Sequence, residues 1–285
     1  MIKTKKSLIV VTWDGITQPL KYIYHNAKPN YDLLVFDYSG KAQEAHLSEL
    51  NPVYFLSNPT ECKGQIITAL YNFILSNELA DKYEFIGIFD DDQFISVSDI
   101  NKLLFIGNVE GLDVFQPSLT HDSFYDNRQF INKPGYNILP TDWVEVMCPF
   151  YRMEVFTTMA PYCIHNISGT GLDVYLVPTV QYLLGMNSTA VVHAVQLKHC
   201  RPVRTGARLF SNNKSSIQEI QEMKALSLQL LNEKGSKDPN DPIYQNLLRI
   251  VNQTRNGEIG FLEKIKRIPL LIKNIYRSLV DASYR

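Results

Sequence analysis

The stretch Tyr83-Glu84-Phe85-Ile86-Gly87-Ile88-Phe89-Asp90-Asp91-Asp92-Gln93-Phe94 runs from an apolar segment straight into three consecutive aspartates. The apolar part reads as a buried strand, which places Asp90, Asp91 and Asp92 at its carboxyl end. Two carboxylates about 4 Å apart repel by roughly 1 kcal/mol in water and about 4 kcal/mol at an effective dielectric near 20. Solvent, backbone N–H groups or a cation must offset that repulsion.

The surrounding chain repeats the pattern. Leu8 to Trp13 is an apolar run ending at Asp14-Gly15, Tyr31 to Tyr38 a second that carries Asp37 and stops at Ser39-Gly40, and Val53 to Leu56 a third. Gly64 to Leu79 has helical spacing through Ile66, Ile67, Leu70, Phe73 and Ile74. Ile100 to Ile106 reads as a helix and Asp113 to Gln116 as a strand. Short runs buried on both faces, alternating with helices, indicate a mostly parallel α/β sheet, where ligands bind beyond the carboxyl ends of the strands. Asp14, Asp37 and Asp90 to Asp92 all fall at such ends. Further on, Trp143 to Phe150 reads as a strand, Met153 to Met159 as a helix, Val174 to Leu184 as a helix opened by a glycine loop, Thr189 to Val195 as a strand and Ser216 to Glu233 as a helix. A polar break follows from Lys234 to Pro242.

With 285 residues, 45% hydrophobic and 20% charged, the chain has material for one large α/β domain and an appendage. A net charge of −1 gives no sign of nucleic-acid binding. Cys62, Cys148, Cys163 and Cys200 are widely spaced and form no C-x-x-C pair, which suits buried thiols in a reducing compartment better than zinc or disulfides. The apolar run after Lys5-Lys6 is too short for a signal peptide, and no run reaches the roughly 18 apolar residues of a membrane span. A cytoplasmic setting is expected.

Alternate residues of an extended segment project to one side, so Asp90 and Asp92 can approach one divalent cation while Asp91 turns elsewhere. Mg²⁺ and Mn²⁺ take oxygen ligands, often one or two carboxylates plus substrate phosphates. A solvated acidic turn or a helix N-cap would use the same residues.

This strand end resembles the D-x-D segment of GT-A-fold glycosyltransferases. Gln116-Pro117-Ser118-Leu119, Val144-Glu145-Val146-Met147-Cys148-Pro149 and Gly171-Leu172-Asp173 follow it in an order that resembles a plant and bacterial family of GT-A-like proteins of unknown function. The likeness covers roughly residues 7 to 205. Thr170 departs from it, standing where that family often has Trp.

The resemblance implies a single GT-A-like domain over residues 1–210, a mostly parallel mixed sheet flanked by helices, with a helical extension over 211–285. It implies a nucleotide-sugar donor laid over the first strands, at Thr12, Trp13 and Asp37. Lys63 and the helix N-terminus after it would meet the base or the diphosphate, unless Lys63 is a plain loop lysine. Asp91 would face the sugar, and Arg201 and Arg204 would hold phosphate oxygens. Asp90, Asp92 and a late histidine, His199 or His193, would hold Mn²⁺ or Mg²⁺. Asp173, a carboxylate opening a helix, would be the base of an inverting transfer, although the same position suits a helix cap. Glu145 would orient an acceptor hydroxyl or pair with an arginine such as Arg152.

Residues Gly260 to Arg285 carry six basic side chains (Lys264, Lys266, Arg267, Lys273, Arg277, Arg285) against Glu263 and Asp281. Such a tail suits peripheral contact with the anionic inner face of the plasma membrane, or a helix packed on the domain or at an oligomer contact. The expected activity is transfer of a sugar to a glycan or lipid-linked oligosaccharide in bacterial surface-polysaccharide assembly. A metal-dependent nucleotidyl- or phosphotransferase and a non-catalytic sugar-nucleotide- or glycan-binding module are the alternatives.

Overall fold

The computed structural model describes residues 5–42, 52–202, 208–235 and 241–250. Ten strands form one mixed sheet: β1 (Lys6–Trp13), β2 (Ile23–Tyr24), β3 (Asp32–Asp37), β4 (Tyr54–Ser57), β5 (Tyr83–Phe89), β6 (Gln93–Ser96), β7 (Val114–Leu119), β8 (Ile138–Pro140), β9 (Phe150–Arg152) and β10 (Thr189–His199). Their spatial order is β2-β6-β10-β7-β9-β5-β1-β3-β4, with β8 against β10. β5, β1, β3 and β4 run parallel, while β9 lies antiparallel between β5 and β7. The helices are α1 (Lys63–Ser76), α2 (Val97–Val109), α3 (Met153–Met159), α4 (Val177–Leu183) and α5 (Ser216–Lys234).

Period-two alternation sends successive residues to opposite faces, and both faces are covered. Leu8 and Val10 of β1 and Ile86 and Ile88 of β5 join α1, α3 and α4 in one core. Ile9, Val11, Phe85 and Phe89 join α2 in the other. Burying a side chain of this size contributes about 1.5–3 kcal/mol. In the second core Phe150 stacks on Phe115 at 4.9 Å and meets Phe89 edge-on at 5.5 Å. Gly87 leaves room for this: a Cβ there would fall 2.8 Å from both the Phe150 ring and Ile9.

Most elements stand where the sequence patterns put them, but the segment before β9 does not. The strand expected over Trp143 to Phe150 begins only at Phe150. Its backbone is satisfied by two side chains and a single bond to β5 instead of a ladder. Glu145 N donates to Gln116 Oε1 (2.6 Å), the Met147 carbonyl accepts from Gln93 Nε2 (2.8 Å), and Ile88 N donates to the Pro149 carbonyl (3.0 Å). Val144 and Cys148 are buried, which explains the apolar run. The helix expected from Val174 starts at Leu172 with a π-helical turn (Leu172–Leu176), and Pro178, which lacks a donor, sits in the first turn of α4 where none is needed. β10 continues past the expected Val195 to His199.

A compact unit runs through Gly235 and a second begins at Ser236. α5, assigned from sequence to the extension starting at 211, belongs to the first unit and sends Met223 and Leu230 into its core. Of the second unit the structure describes a helix over 242–250. The basic stretch Gly260 to Arg285 lies outside the described residues. No described helix is long and apolar enough to cross a membrane.

Candidate active site

In-register pairing gathers the strand ends. Trp13 lies beside Asp37 across β1 and β3, and Val11 beside Phe89 across β1 and β5. Asp90 to Asp92 follow directly and turn into β6, so they do not cap α2. Ser96 does that, its hydroxyl accepting from Asp99 N. Pairing of His199 with Gln93, and of Lys198 with Phe94, brings the end of β10 alongside the aspartates. Cys200 N closes the junction on the Asp92 carbonyl at 2.9 Å.

Each aspartate has its own partners. Asp90 is ion-paired with Lys63, whose side chain is only 8% exposed. Asp91 accepts from Tyr38 Oη (2.9 Å) and from the Arg201 guanidinium. Asp92 Oδ2 accepts from Arg201 Nε at 2.9 Å and lies 3.3 Å from His199 Nε2. Three carboxylates thus meet a lysine, an arginine and a histidine, which answers the repulsion. Lys63 takes Asp90, while Arg201 bridges Asp92 to Asp91, and Asp90 and Asp92 remain near enough to repel.

Among the described residues no three His, Cys, Asp or Glu side chains form a ready metal cage. Two of the three expected ligands do fit one. Asp92 Oδ1 is enclosed and has no hydrogen-bond partner. His199 Nδ1 lies 2.9 Å from the Phe124 carbonyl, and donation there would leave the Nε2 lone pair facing Asp92. Burial alone would raise the Asp92 carboxyl and depress His199; their mutual contact, with Arg201 beside Asp92, reverses both. His193 is engaged elsewhere, accepting from Lys133 N at 3.1 Å.

A cleft opens over these strand ends, lined by Thr12, Trp13, Thr17, Lys21, Asp90, Asp91 and Arg201 among others. Thr12 and Trp13 are almost wholly buried, and Trp13 Nε1 donates to the Thr17 carbonyl at 2.7 Å. Asp37 does not serve the cleft. Its carboxylate accepts from Ser39 N, Ser39 Oγ, Gly40 N, Ala42 N and Ser57 Oγ, all between 2.8 and 3.1 Å, which uses up its acceptor capacity on its own turn and on β4. The N-terminus of α1 is also covered, since Gly64 N donates to the Ile167 carbonyl at 3.0 Å. Arg204 lies outside the described residues.

Asp173 and Glu145, the expected base and acceptor-orienting residue, lie near enough to repel each other. Asp173 opens the π-helical turn behind Gly171, whose φ of +86° suits glycine. It accepts from Val174 N at 2.9 Å, and Val146 N lies 3.5 Å away. A helix-opening aspartate is expected to be strongly acidic, but burial outweighs the backbone donors and pushes Asp173 up to about 6. Glu145, 8% exposed, accepts from Asn127 Nδ2 at 2.9 Å through Oε1, while its enclosed Oε2 has no partner. Burial, with Asp173 and Asp126 adding repulsion, pushes it up to about 7. Arg152 does not pair with Glu145, being held by Glu84 and Asp113.

Sequence reading missed Tyr38, Gln93, Asn127 and Asp126. Tyr38 and Gln93 had a signal, since each follows a strand end; Asn127 and Asp126 sit in an irregular segment without one.

No protein-family model and no curated protein matches the chain. Solved structures do. The S. aureus TarS 1–349 fragment in complex with UDP-GlcNAc superposes with a TM-score of 0.55 at 13% identity, covering 87% of this chain and 72% of that one. The same fragment with UDP gives 0.56 at 12%, covering 96% and 78%. At such identities the likeness speaks for architecture. The chain shares that architecture, a GT-A-like α/β fold with a mixed ten-stranded sheet flanked by helices.

Proposed function

We propose that the protein is a metal-dependent, inverting glycosyltransferase that moves a sugar from a nucleotide-sugar donor to a hydroxyl of a glycan or glycolipid acceptor. The observation that carries this reading is the Asp92–His199 contact, with its enclosed and unpartnered Asp92 Oδ1, at the sheet end of a GT-A-like fold; Asp173, raised to about 6, is the candidate base. The complexes of TarS with UDP and UDP-GlcNAc support a uridine nucleotide as the first donor to test.

The nucleotide lies in the cleft at Thr12 and Trp13, with its diphosphate toward the aspartates. Mn²⁺ or Mg²⁺ held by Asp92 and His199 would supply Lewis-acid stabilisation of the departing diphosphate. Arg201, 44% exposed and already at Asp91 and Asp92, is the side chain placed to take up phosphate oxygens. Lys63 neutralises Asp90 and so limits the negative charge that the diphosphate meets. Asp173 takes the proton of the acceptor hydroxyl as that oxygen attacks the anomeric carbon. The free Glu145 Oε2 offers the same acceptor a second hydrogen bond.

Calorimetry tests the donor half of this account. Mn²⁺ is expected to tighten UDP binding by at least about tenfold over chelator, one hydrogen-bond-sized increment of 1.4 kcal/mol. Asp92→Asn is expected to lose that difference while melting within a few degrees of the parent. A full Mn²⁺ effect in the variant would remove Asp92 from the metal site.

A further inference from the structure

We infer that Glu219 of α5 is a positioning residue for the strand-end site, a buried carboxylate that holds the loop Asn166–Gly171 and through it both Gly64-Lys63 and Asp173. Its catalytic consequence rests on the transferase reading above; the clamp itself does not.

Glu219 is fully buried. Oε1 accepts from Ile167 N at 2.9 Å and Asn212 Nδ2 at 2.8 Å, and Oε2 accepts from Ser168 N at 2.7 Å. Burial opposes ionisation, yet these donors together hold the carboxyl below its ordinary value. Neutral N–H groups aimed at a full charge make short, strong hydrogen bonds, so the loop is fixed more firmly than neutral contacts would fix it.

The loop passes that constraint on in two directions. Toward the donor side, the Ile167 carbonyl accepts from Gly64 N at 3.0 Å and the Ser168 carbonyl from Cys62 Sγ at 3.3 Å. The packing here leaves no slack. A Cβ on Gly64 would fall 1.9 Å from the Asn166 carbonyl oxygen, and one on Gly169 2.9 Å from Lys63 Cβ. Lys63 is the partner of Asp90. Toward the acceptor side, Asn166 closes the loop on itself, accepting from Gly169 N at 2.7 Å and donating to the Thr170 carbonyl at 3.1 Å. The chain then enters Gly171, which lies against Ile220 and Met223 of α5, and two residues later reaches Asp173. A close-packed loop moves as a unit, and this one touches Lys63 on one side and leads into Asp173 on the other.

Backbone hydrogen exchange read residue by residue tests the clamp without a substrate. In Glu219→Gln the Ile167 and Ser168 amides are expected to exchange at least tenfold faster. The Gly64 amide, which donates to Ile167, and the Val174 amide, which donates to Asp173, are expected to accelerate with them. Glu222→Gln, on the same helix but bonded to Lys214 at the surface, is expected to leave all four unchanged. Should Glu219→Gln fail to fold, Glu219→Asp, which keeps the charge but withdraws it from the loop, gives the same readout. With UDP-GlcNAc and Mn²⁺, turnover at saturating donor is expected to fall at least tenfold in Glu219→Gln with its melting temperature nearly kept. Acceleration confined to Ile167 and Ser168, or undiminished turnover, would overturn the positioning role. A wild-type protein inactive on every donor would instead overturn the transferase reading, while the Gly64 and Val174 amides still decide the clamp.

Discussion

Asp173→Asn is expected to cut sugar transfer by about 10³-fold, within the 10²–10⁴ range of general-base removal, and to leave UDP binding unchanged. The substitution keeps the shape of the side chain, and its amide oxygen can still accept from Val174 N as the carboxylate does. It removes only the ability to take a proton. Because burial holds the Asp173 carboxyl near 6, the wild-type rate should climb through about pH 6 as that group ionises. The variant should lose this limb together with the rate. Steady-state turnover from pH 5 to 8, with UDP affinity measured alongside, checks both. Normal turnover in the variant would remove Asp173 as the base.

Glu145→Gln is expected to stabilise the protein in alkali, the opposite of what a substitution in a buried hydrogen-bonded network usually does. Burial raises the Glu145 carboxyl from 4.5 to about 7, so the folded state holds its proton more tightly than the unfolded one. That preference favours folding fully below about pH 4.5 and is lost as pH rises through about 7. Above that point an ionised carboxylate sits buried beside Asp173, at a cost of about 3 kcal/mol for a shift of this size. Glutamine carries no charge at any pH and can still accept from Asn127. At pH 8.5 the variant should therefore melt several degrees above wild type, and at pH 5 the two should nearly coincide. The same difference at both pH values would mean that Glu145 is not held neutral. The gain in stability should come with weaker acceptor binding, since Oε2, enclosed and without a protein partner, is the atom proposed to meet the acceptor.

The half of the fold that was legible in the sequence is the half built from uninterrupted apolar runs. β1, β3 and β5 bury both faces, so their composition alone marks them, and the aspartates mark where they end. The three later motifs proved to be one cluster: Gln116 holds the Glu145 amide, and Asp173 sits against the Val146 amide. Their order along the chain carried only a family resemblance, and the contacts among them come from the fold. Trp143 to Phe150 misled because burial and strand pairing leave the same apolar signature. Here side-chain amides from Gln116 and Gln93 replace the ladder, and no local pattern announces such a replacement. Asp37 misled for a related reason. It stands at a strand end as a ligand residue would, yet four donors from its turn and Ser57 Oγ of β4 consume it. Glu219 was not singled out in the sequence. Its burial depends on a loop some 50 residues earlier in the chain, which helical periodicity cannot reveal.

The central claim, that this strand-end site cleaves a nucleotide sugar at its anomeric carbon, is tested most directly by the phosphorus products. The purified full chain, incubated with Mn²⁺, a panel of nucleotide sugars beginning with UDP-GlcNAc, and candidate glycan acceptors, is followed by ³¹P NMR. Release of nucleoside diphosphate, with the diphosphate bond intact, is the expected result. Nucleoside monophosphate with sugar phosphate would assign the site to nucleotidyl or phosphoryl transfer, and a donor that binds but never changes would make the protein a binding module; either outcome would contradict the account.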